Sequence, residues 1–388
     1  MKAQAMQQDA RIGLIGTGFM GKAHALAWRN VAAVFGNSLG ELPRVELACL
    51  VDTPIEKAKA MADQFGFTRA SDDWRQMVND PDIDIVSITT PNGMHREMAE
   101  AALAAGKHVW CEKPMALTLG DARSMMQAAD ASGCKTLLGY NYLRNPAFTH
   151  ACRLLADGAI GRPLQFRGWV DEDYQADPAL PWTWRATRAH GGLGALGDIG
   201  CHLVSLALML LGPIDRLQAQ MQTLYPTRPL DNGGEAQVEN EDAASVLIRF
   251  ANGVQGSMVM SRSAWGRKSR LGFELHGSKG MIIFDQERMN ELQLYQNDGP
   301  LAQQGFKTIL TGPSHPPYGA FCPAPGHQLG FNDLKTIECA GFLQAIAGHA
   351  PCWPDFREGL EIERIIHAMA ESATADGAIR RPMENDGS

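Results

Sequence analysis

The sequence lacks several of the features that would assign it to other classes at once. Its eight cysteines, at positions 49, 111, 134, 152, 201, 322, 339 and 352, fall in no CxxC or other metal-ligand spacing. That excludes a zinc ribbon and a disulfide scaffold; the thiols read as reduced and mostly buried, no metal is implied, and a cytoplasmic protein is expected. Basic charge is in deficit, 35 Lys and Arg against 43 Asp and Glu for a formal net charge of -8. The basic residues are also scattered, so no footprint for nucleic acid or an anionic membrane is visible. No run of about 18 apolar residues suggests a bilayer span, and residues 1–10 lack the apolar core of a signal peptide. Internal repeats and low-complexity segments are missing too. What remains is an ordinary globular composition over 388 residues, longer than one typical core, so two domains and a small-molecule partner are expected.

The first third alternates short apolar runs with helical patterns: Arg11–Ile15, Phe19–Val34, Val45–Val51, Ile55–Phe65, Ile83–Ile88, Met94–Ala105, His108–Cys111, Leu119–Ala131 and Thr136–Gly139. Such alternation predicts an α/β domain over residues 1–141 built on a doubly wound parallel sheet. Over residues 142–388 the runs alternate apolar with polar, as in Leu164–Asp171, Ala244–Phe250, Val254–Ser261, Leu271–His276 and Met281–Phe284. They predict an α+β domain with a large, mainly antiparallel open sheet. Asn252-Gly253 is expected to supply the positive backbone angles of a tight hairpin, and Gly277–Gly280 the next turn. Tyr174–Gly194 and roughly 297–330 read as long Pro- and Gly-rich loops, a kind more often functional than accidental. Helical periodicity returns in Asn332–Ala347 and Phe356–Thr374, helices free to pack back on the first domain.

Gly16-Thr17-Gly18-Phe19-Met20-Gly21 follows the strand Ile12–Ile15 and precedes a helical pattern. In that context the first glycine allows the tight turn, the second lets backbone amides approach a pyrophosphate, and the third lets helix and strand pack closely. The alternative is merely a tight strand-to-helix turn. The next strand ends at Asp52, where a carboxylate accepts the ribose hydroxyls of NAD and repels the 2′-phosphate of NADP. Asp52 arrives later than the usual ~20 residues, a delay attributed to the insertion Phe35–Pro43. It reads equally as a cap for the helix starting near Pro54. Thr90-Pro91-Asn92 and His95, after the fourth strand, are placed either as cofactor wall or as loop surface.

Cys111-Glu112-Lys113-Pro114 ends a strand at the carboxyl edge of the first sheet, where open α/β proteins bind ligands. Further on, Gly197-Asp198-Ile199-Gly200-Cys201-His202 leads into the apolar stretch Leu203–Leu211, with Asp198 and His202 four apart and hence on one helical face. Oxidising an alcohol requires a group to take the hydroxyl proton. Histidine suits that role near neutral pH, a carboxylate orients it, and a cation such as Lys113 stabilises developing alkoxide. Asp198 as a helix-start residue and His202 as a satisfied semi-buried histidine is the structural alternative.

The set Gly16–Gly21, Asp52, Pro91-Asn92, Glu112-Lys113-Pro114 and Gly197–His202 resembles the Gfo/Idh/MocA oxidoreductase family over nearly the whole chain. In that family an N-terminal Rossmann domain binds NAD(P), and an open sheet in the second domain serves both active site and oligomer interface. The resemblance implies Lys113, Asp198 and His202 as catalytic residues, a site formed where the domains meet, and a homodimer or homotetramer. It implies cofactor contacts from Gly16, Gly18, Phe19, Met20, Gly21, Asp52, Thr90, Pro91, Asn92, His95, Glu112, Asn141 and the pair Trp184-Arg185. Many members carry an acidic residue three places after the histidine, whereas this chain has Ser205, which leaves the substrate open. Segments around His24, Trp182–Arg185, Trp265 and Leu334–Glu338 resemble the branch that oxidises a ring secondary hydroxyl of inositols, sugars, anhydrosugars or glucosides. Tyr142, Arg144, Glu172 and Asp173 are then candidates to bind a polyol, with Trp169, Tyr174 and Trp182 beside them or in the core. Competing readings are an NAD-retaining glycosidase that oxidises C3 transiently, and a dinucleotide-binding regulator without chemistry.

Overall fold

The computed structural model describes residues 9–36 and 42–383. Most of the insertion invoked to delay Asp52, and the ends of the chain, lie outside the described residues. Two compact units emerge, one of Met1–Arg144, Gly319–Pro323 and Leu329–Glu361, the other of Asn145–Tyr318, Ala324–Gln328 and Ile362–Ser388.

The first unit runs β1 (Asp9–Ile15), α1 (Phe19–Phe35), β2 (Arg44–Val51), α2 (Ile55–Phe65), β3 (Arg69–Ser71), α3 (Trp74–Val78), β4 (Ile85–Ile88), α4 (His95–Ala104), β5 (His108–Cys111), α5 (Leu119–Ser132) and β6 (Thr136–Leu138). The six strands lie parallel in the order β3-β2-β1-β4-β5-β6. Helices on both faces leave β4 wholly buried, which is why its sequence is a continuous apolar run rather than an alternating one. The order reverses between β1 and β4, and a crevice opens there at the carboxyl ends of the strands. Thr89 closes its floor, donating from both its amide and its hydroxyl to the Ile15 carbonyl at 3.0 and 2.8 Å.

The second unit continues with α6 (Pro146–Ala156), β7 (Pro163–Asp171), the single-turn α7 (Arg188–Gly191), α8 (Cys201–Leu211), β8 (Ile214–Gln222) and the small hairpin of β9 (Thr227–Pro229) and β10 (Glu235–Gln237). It then adds β11 (Ala243–Phe250), β12 (Gln255–Ser261), β13 (Arg270–Gly277), β14 (Gly280–Asp285), β15 (Glu291–Gln296) and β16 (Lys307–Leu310), and the short α9 (Tyr318–Phe321) that follows belongs mostly to the first unit. Eight strands form one sheet in the order β16-β15-β14-β13-β7-β12-β11-β8, antiparallel except where β12 meets β7. Its inner face is apolar because Phe166, Gly168 and Val170 of β7 alternate with the outward Gln165, Arg167 and Trp169. Gly168 lets α8 rest on the sheet, since a Cβ there would sit 2.7 Å from Leu203. The chain ends with α10 (Phe331–Ile346) and α11 (Phe356–Thr374), and α10 belongs to the first unit, where it packs along α1.

Three expectations are corrected. Among the described residues only Ser269 and Asp376 combine a side chain with positive φ, so Asn252 does not adopt the left-handed conformation. The turn is three residues long: Gly253 alone takes φ 89°, while the Asn252 side chain accepts the Val254 amide at 3.0 Å, an arrangement that needs one positive angle rather than two. The stretch near residues 297–330 is not structureless, since β16 lies within it. Finally, Arg188–Leu211 is long and apolar enough to cross a membrane, but 83% of its apolar window is buried inside the protein, as suits a core helix.

Gly253→Ala is expected to lower the melting temperature by about 2–4 °C, because an L side chain at that angle costs on the order of 1 kcal/mol. Differential scanning fluorimetry checks this, and Asn252→Ala, which loses only a side-chain cap, should shift it less.

Candidate active site

The nucleotide end of the first unit follows from three glycines with different tasks. Gly16 holds φ 104°, and a Cβ there would lie 2.7 Å from the Thr89 hydroxyl. At Gly21 a Cβ would come within 2.1 Å of the Gly16 carbonyl oxygen, so this glycine joins α1 to the loop. Gly18 meets nothing: a Cβ there would point into open space. Gly18 is also the N-cap of α1 and supplies no side-chain cap, with no acidic residue in the first turn. The amides of Phe19, Met20 and Gly21 thus face an opening at the positive end of a helix dipole, a cradle suited to a pyrophosphate. Asp52 sits beside it, its Oδ2 accepting the Thr17 amide at 2.8 Å and the Thr17 hydroxyl, while Oδ1 accepts the Thr53 amide at 2.6 Å. The carboxylate is therefore tied to the glycine loop rather than serving as the N-cap of α2, whose cap position is Pro54.

Across the crevice, Pro91, Asn92 and Thr90 form the exposed to half-buried start of a 3-10 turn. His95 is buried, its ring nitrogens each 3.0 Å from a backbone carbonyl, Pro114 on one side and Thr90 on the other. It clamps two loops together instead of presenting its ring to a ligand, and burial holds its pKa below the usual value. Asn141 is buried, and its Nδ2 has no hydrogen-bond partner among the described residues, an orphan donor of the kind a cofactor satisfies. These residues fit NAD: an uncapped helix start for the pyrophosphate, Asp52 for the ribose, and a donor still to be paired.

Two of the expected ligand contacts are used otherwise. Glu112 turns inward, its carboxylate bonded to His24 and Lys335 in the core. Arg144 donates to the Trp353 carbonyl in the segment after α10 and lies against Gly341 of that helix, so its guanidinium packs within the first unit. Lys113 is half-buried at the end of β5. Phe19, 72% exposed, stacks on Phe331 of α10 at 5.4 Å, and Tyr142 meets the same ring edge-on at 6.2 Å.

In the second unit Asp198 and His202 lie on a helix interrupted by a turn of π-helix, Leu196–Gly200, before α8. The four-residue spacing therefore spans a widened turn rather than the regular α-helix assumed from sequence, and such turns recur at functional sites. The Tyr174 hydroxyl donates to Asp198 Oδ2 at 2.6 Å, and burial together with that carboxylate raises the phenol's pKa well above its usual value, so Tyr174 stays a donor. His202 is 7% exposed. Gly200 allows the turn to settle on β12, where a Cβ would meet the Met260 sulfur at 2.6 Å. Ser205 donates to the His202 carbonyl at 2.7 Å, a local helix bond that uses the hydroxyl internally.

Other candidates brace loops. Asp173 pairs with Lys268 at 2.5 Å and accepts the Gly266 amide, steadying the turn with the exposed Trp265. The main chain of Glu172 bonds to Ser261 and Ala264. Trp182 donates to the Gln237 carbonyl; Trp169 stands on the outer sheet face under Arg270, 4.7 Å away. Arg185 stacks on Trp184 at 4.4 Å. The element unforeseen from sequence is Glu239-Asn240-Glu241-Asp242. Asn240 donates to the Arg185 carbonyl at 2.7 Å, Glu241 Oε1 accepts the Leu196 amide at 2.9 Å, and Arg262 pairs with Asp242 at 2.8 Å. This strap ties the Trp184 loop to the π turn; three carboxylates and an amide in a row was its only signal. Among the described residues no group of His, Cys, Asp or Glu is arranged to hold a metal.

With this geometry in place, comparison with known proteins identifies the class. The GFO_IDH_MocA model, an oxidoreductase family with an NAD-binding Rossmann fold, matches residues 10–140, and the GFO/IDH/MocA C-terminal domain matches residues 148–283. The levoglucosan dehydrogenase of Pseudarthrobacter phenanthrenivorans is 38% identical over 97% of this chain and 99% of its own. The NAD+-linked scyllo-inositol 2-dehydrogenase of Bacillus subtilis is 27% identical over 92% of each. A solved levoglucosan dehydrogenase in complex with NADH and levoglucosan superposes with a TM-score of 0.92 at 38% identity, covering 97% of this chain and all of that one. The chain belongs to the Gfo/Idh/MocA family of oxidoreductases. NAD is its cofactor.

The two glycines separate binding from folding. Gly18→Ala is expected to leave the melting temperature within about 1 °C and to weaken NAD at least ~10-fold in fluorescence titration, because its methyl group occupies only the cofactor's space. Gly21→Ala should destabilise the protein, since it clashes with backbone.

Proposed function

We propose that this chain oxidises a ring secondary hydroxyl of a sugar, anhydrosugar, glycoside or inositol, with His202 as general base and Lys113 and Asp198 assisting. It is an oxidoreductase of CH–OH groups. The observation that carries the finer reading is the constrained carboxylate next to the buried histidine: Asp198, held by Tyr174 at 2.6 Å on the π turn that leads into His202. NAD, when bound, accepts the hydride. The protein's part is proton and charge management. His202 takes the hydroxyl proton, Asp198 orients the imidazole and stabilises its charged form, and the Lys113 ammonium stabilises the oxygen as negative charge develops. Asp52 favours NAD over NADP by meeting a 2′-phosphate with a carboxylate.

Similarity to levoglucosan dehydrogenase along the full chain supports a pyranose-sized substrate, with Tyr142 and Glu172 as contacts. The eight cysteines are all free, in keeping with a reducing, cytoplasmic setting. Leu247 and Val259, 62% and 44% exposed on the outer face of the second sheet, support a homodimer or homotetramer that covers them. Light scattering should return at least two chains per particle; a single-chain mass would refute the assembly.

An NADH-absorbance screen of anhydrosugars, aldoses, glucosides and inositols tests the activity. Lys113→Ala and His202→Ala are each expected to lower kcat by ~10²–10⁴-fold with NAD still bound, and wild-type rates in both would sink the mechanism. Aglycone released without net NADH would point instead to a glycosidase. NAD binding with no turnover across the panel would point to a regulator.

A further inference from the structure

Behind the strand end that carries Lys113, the first unit encloses a row of polar side chains that the chemistry above leaves unused. Lys335 of α10 is 0% exposed. Its ammonium donates to Glu112 Oε1 at 2.5 Å and to Glu338 Oε2 at 2.8 Å, and the Trp110 ring lies 5.4 Å from Nζ. The same Glu112 oxygen faces His24 Nε2 at 2.9 Å; His24 Nδ1 faces the Ser87 hydroxyl at 3.4 Å, which accepts from Trp28 Nε1 at 2.8 Å. With a neutral imidazole and an ionised Glu112, one proton arrangement satisfies all of these. Trp28 donates to Ser87, Ser87 donates to Nδ1, and a neutral His24 donates from Nε2 to Glu112. Burial lowers the His24 pKa to about 4, outweighing its bond to Glu112, so the ring keeps that tautomer through the neutral range.

The row ends on the reactive segment. Glu112 Oε2 accepts the Lys113 backbone amide at 3.3 Å, and Gly139 leaves the space that the carboxylate fills, since a Cβ there would sit 2.3 Å from Oε1. Buried ion pairs add little stability over apolar packing, so stability alone is a poor reason for this arrangement.

We propose that Lys335 and Glu338 are positioning residues for Lys113: through Glu112 they fix the strand end that bears it and set the field at its ammonium. This rests on the reading of Lys113 as the catalytic cation. Glu338 is the member that titrates. Burial raises its pKa to about 7, with Glu112 adding and Lys335 and Arg144 opposing. Burial disfavours the charge on Lys335, yet its two carboxylates keep it protonated; burial also opposes ionised Glu112, but Lys335 and His24 prevail. The neighbouring thiols Cys111 and Cys339 are pushed well up by burial and stay neutral. Above pH ~7 the cluster therefore gains one negative charge. Because the folded carboxyl titrates above its ordinary value, its favourable contribution to stability is present at acid pH and lost as pH rises through about 7. The new anion in turn favours the protonated form of Lys113.

The test uses the full-length, NAD-saturated protein with its solvent-accessible lysines, the half-buried Lys113 among them, reductively ¹³C-methylated, the Lys113 resonance being assigned by its loss in Lys113→Arg. Glu338→Gln is expected to lower the Lys113 titration midpoint by about half a pH unit. The double variant Glu112→Gln/Lys335→Met, which removes both charges of the buried pair and so spares the core a lone ion, should displace the Lys113 resonance while NAD affinity stays within about twofold. A midpoint unchanged to about 0.1 unit in both folded variants would overturn the proposal. Wild-type turnover in Lys113→Ala would instead sink the catalytic role of Lys113, whatever the resonance does.

Discussion

The first unit is organised around one buried ion pair, Lys335 with Glu112, separated in sequence by most of the chain and 2.5 Å apart in space. A lone charge at either position would be prohibitive, and removing one partner of such a pair costs about 3–5 kcal/mol. The pair therefore obliges α10 to dock beside β5. The docking then sets what α10 carries one turn away, at its first residue: Phe331, stacked on Phe19 of the glycine loop and touching Tyr142. A helix distant in sequence thus becomes part of the wall of the nucleotide site.

In the second unit the governing constraint is steric. Gly168 on β7 and Gly200 at the end of the π turn remove the Cβ atoms that would hold α8 away from the sheet. Close packing of this kind is rigid because interiors are as dense as organic crystals. Asp198 and His202 inherit that rigidity from below, while Tyr174 and the Glu239–Asp242 strap restrain the same turn from the side.

Much of this was legible before any coordinates. The Rossmann strands β1, β2, β4 and β5 announce themselves as apolar runs because both sheet faces are covered, and the glycine loop because its backbone geometry admits few substitutes. β8 escaped because the polar pair Asp215-Arg216 breaks its alternation near the start, where the register against β11 shifts, and β15 because its alternation rests on only two buried residues, Leu292 and Leu294. β3 and β16 are too short to carry a period. The inward turn of Glu112 was illegible for a different reason. Its partners, His24 and Lys335, come from helices on either side of it in the chain, and a charged residue in an apolar helix does not name what it faces. Arg144 misled in the same way, its guanidinium being drawn to a backbone carbonyl by a segment more than two hundred residues later.

The tether between Thr17 and Asp52 makes cofactor preference a two-residue property. The Asp52 carboxylate does more than face a ribose; it satisfies the amide and hydroxyl of Thr17 in the middle of the glycine loop. Exchanging Asp52 alone for a small or basic residue would strip two donors of their acceptor and loosen the loop that grips the pyrophosphate, which NAD and NADP share. Redirecting such a site toward the phosphorylated dinucleotide accordingly begins with the loop residue, not with the acid.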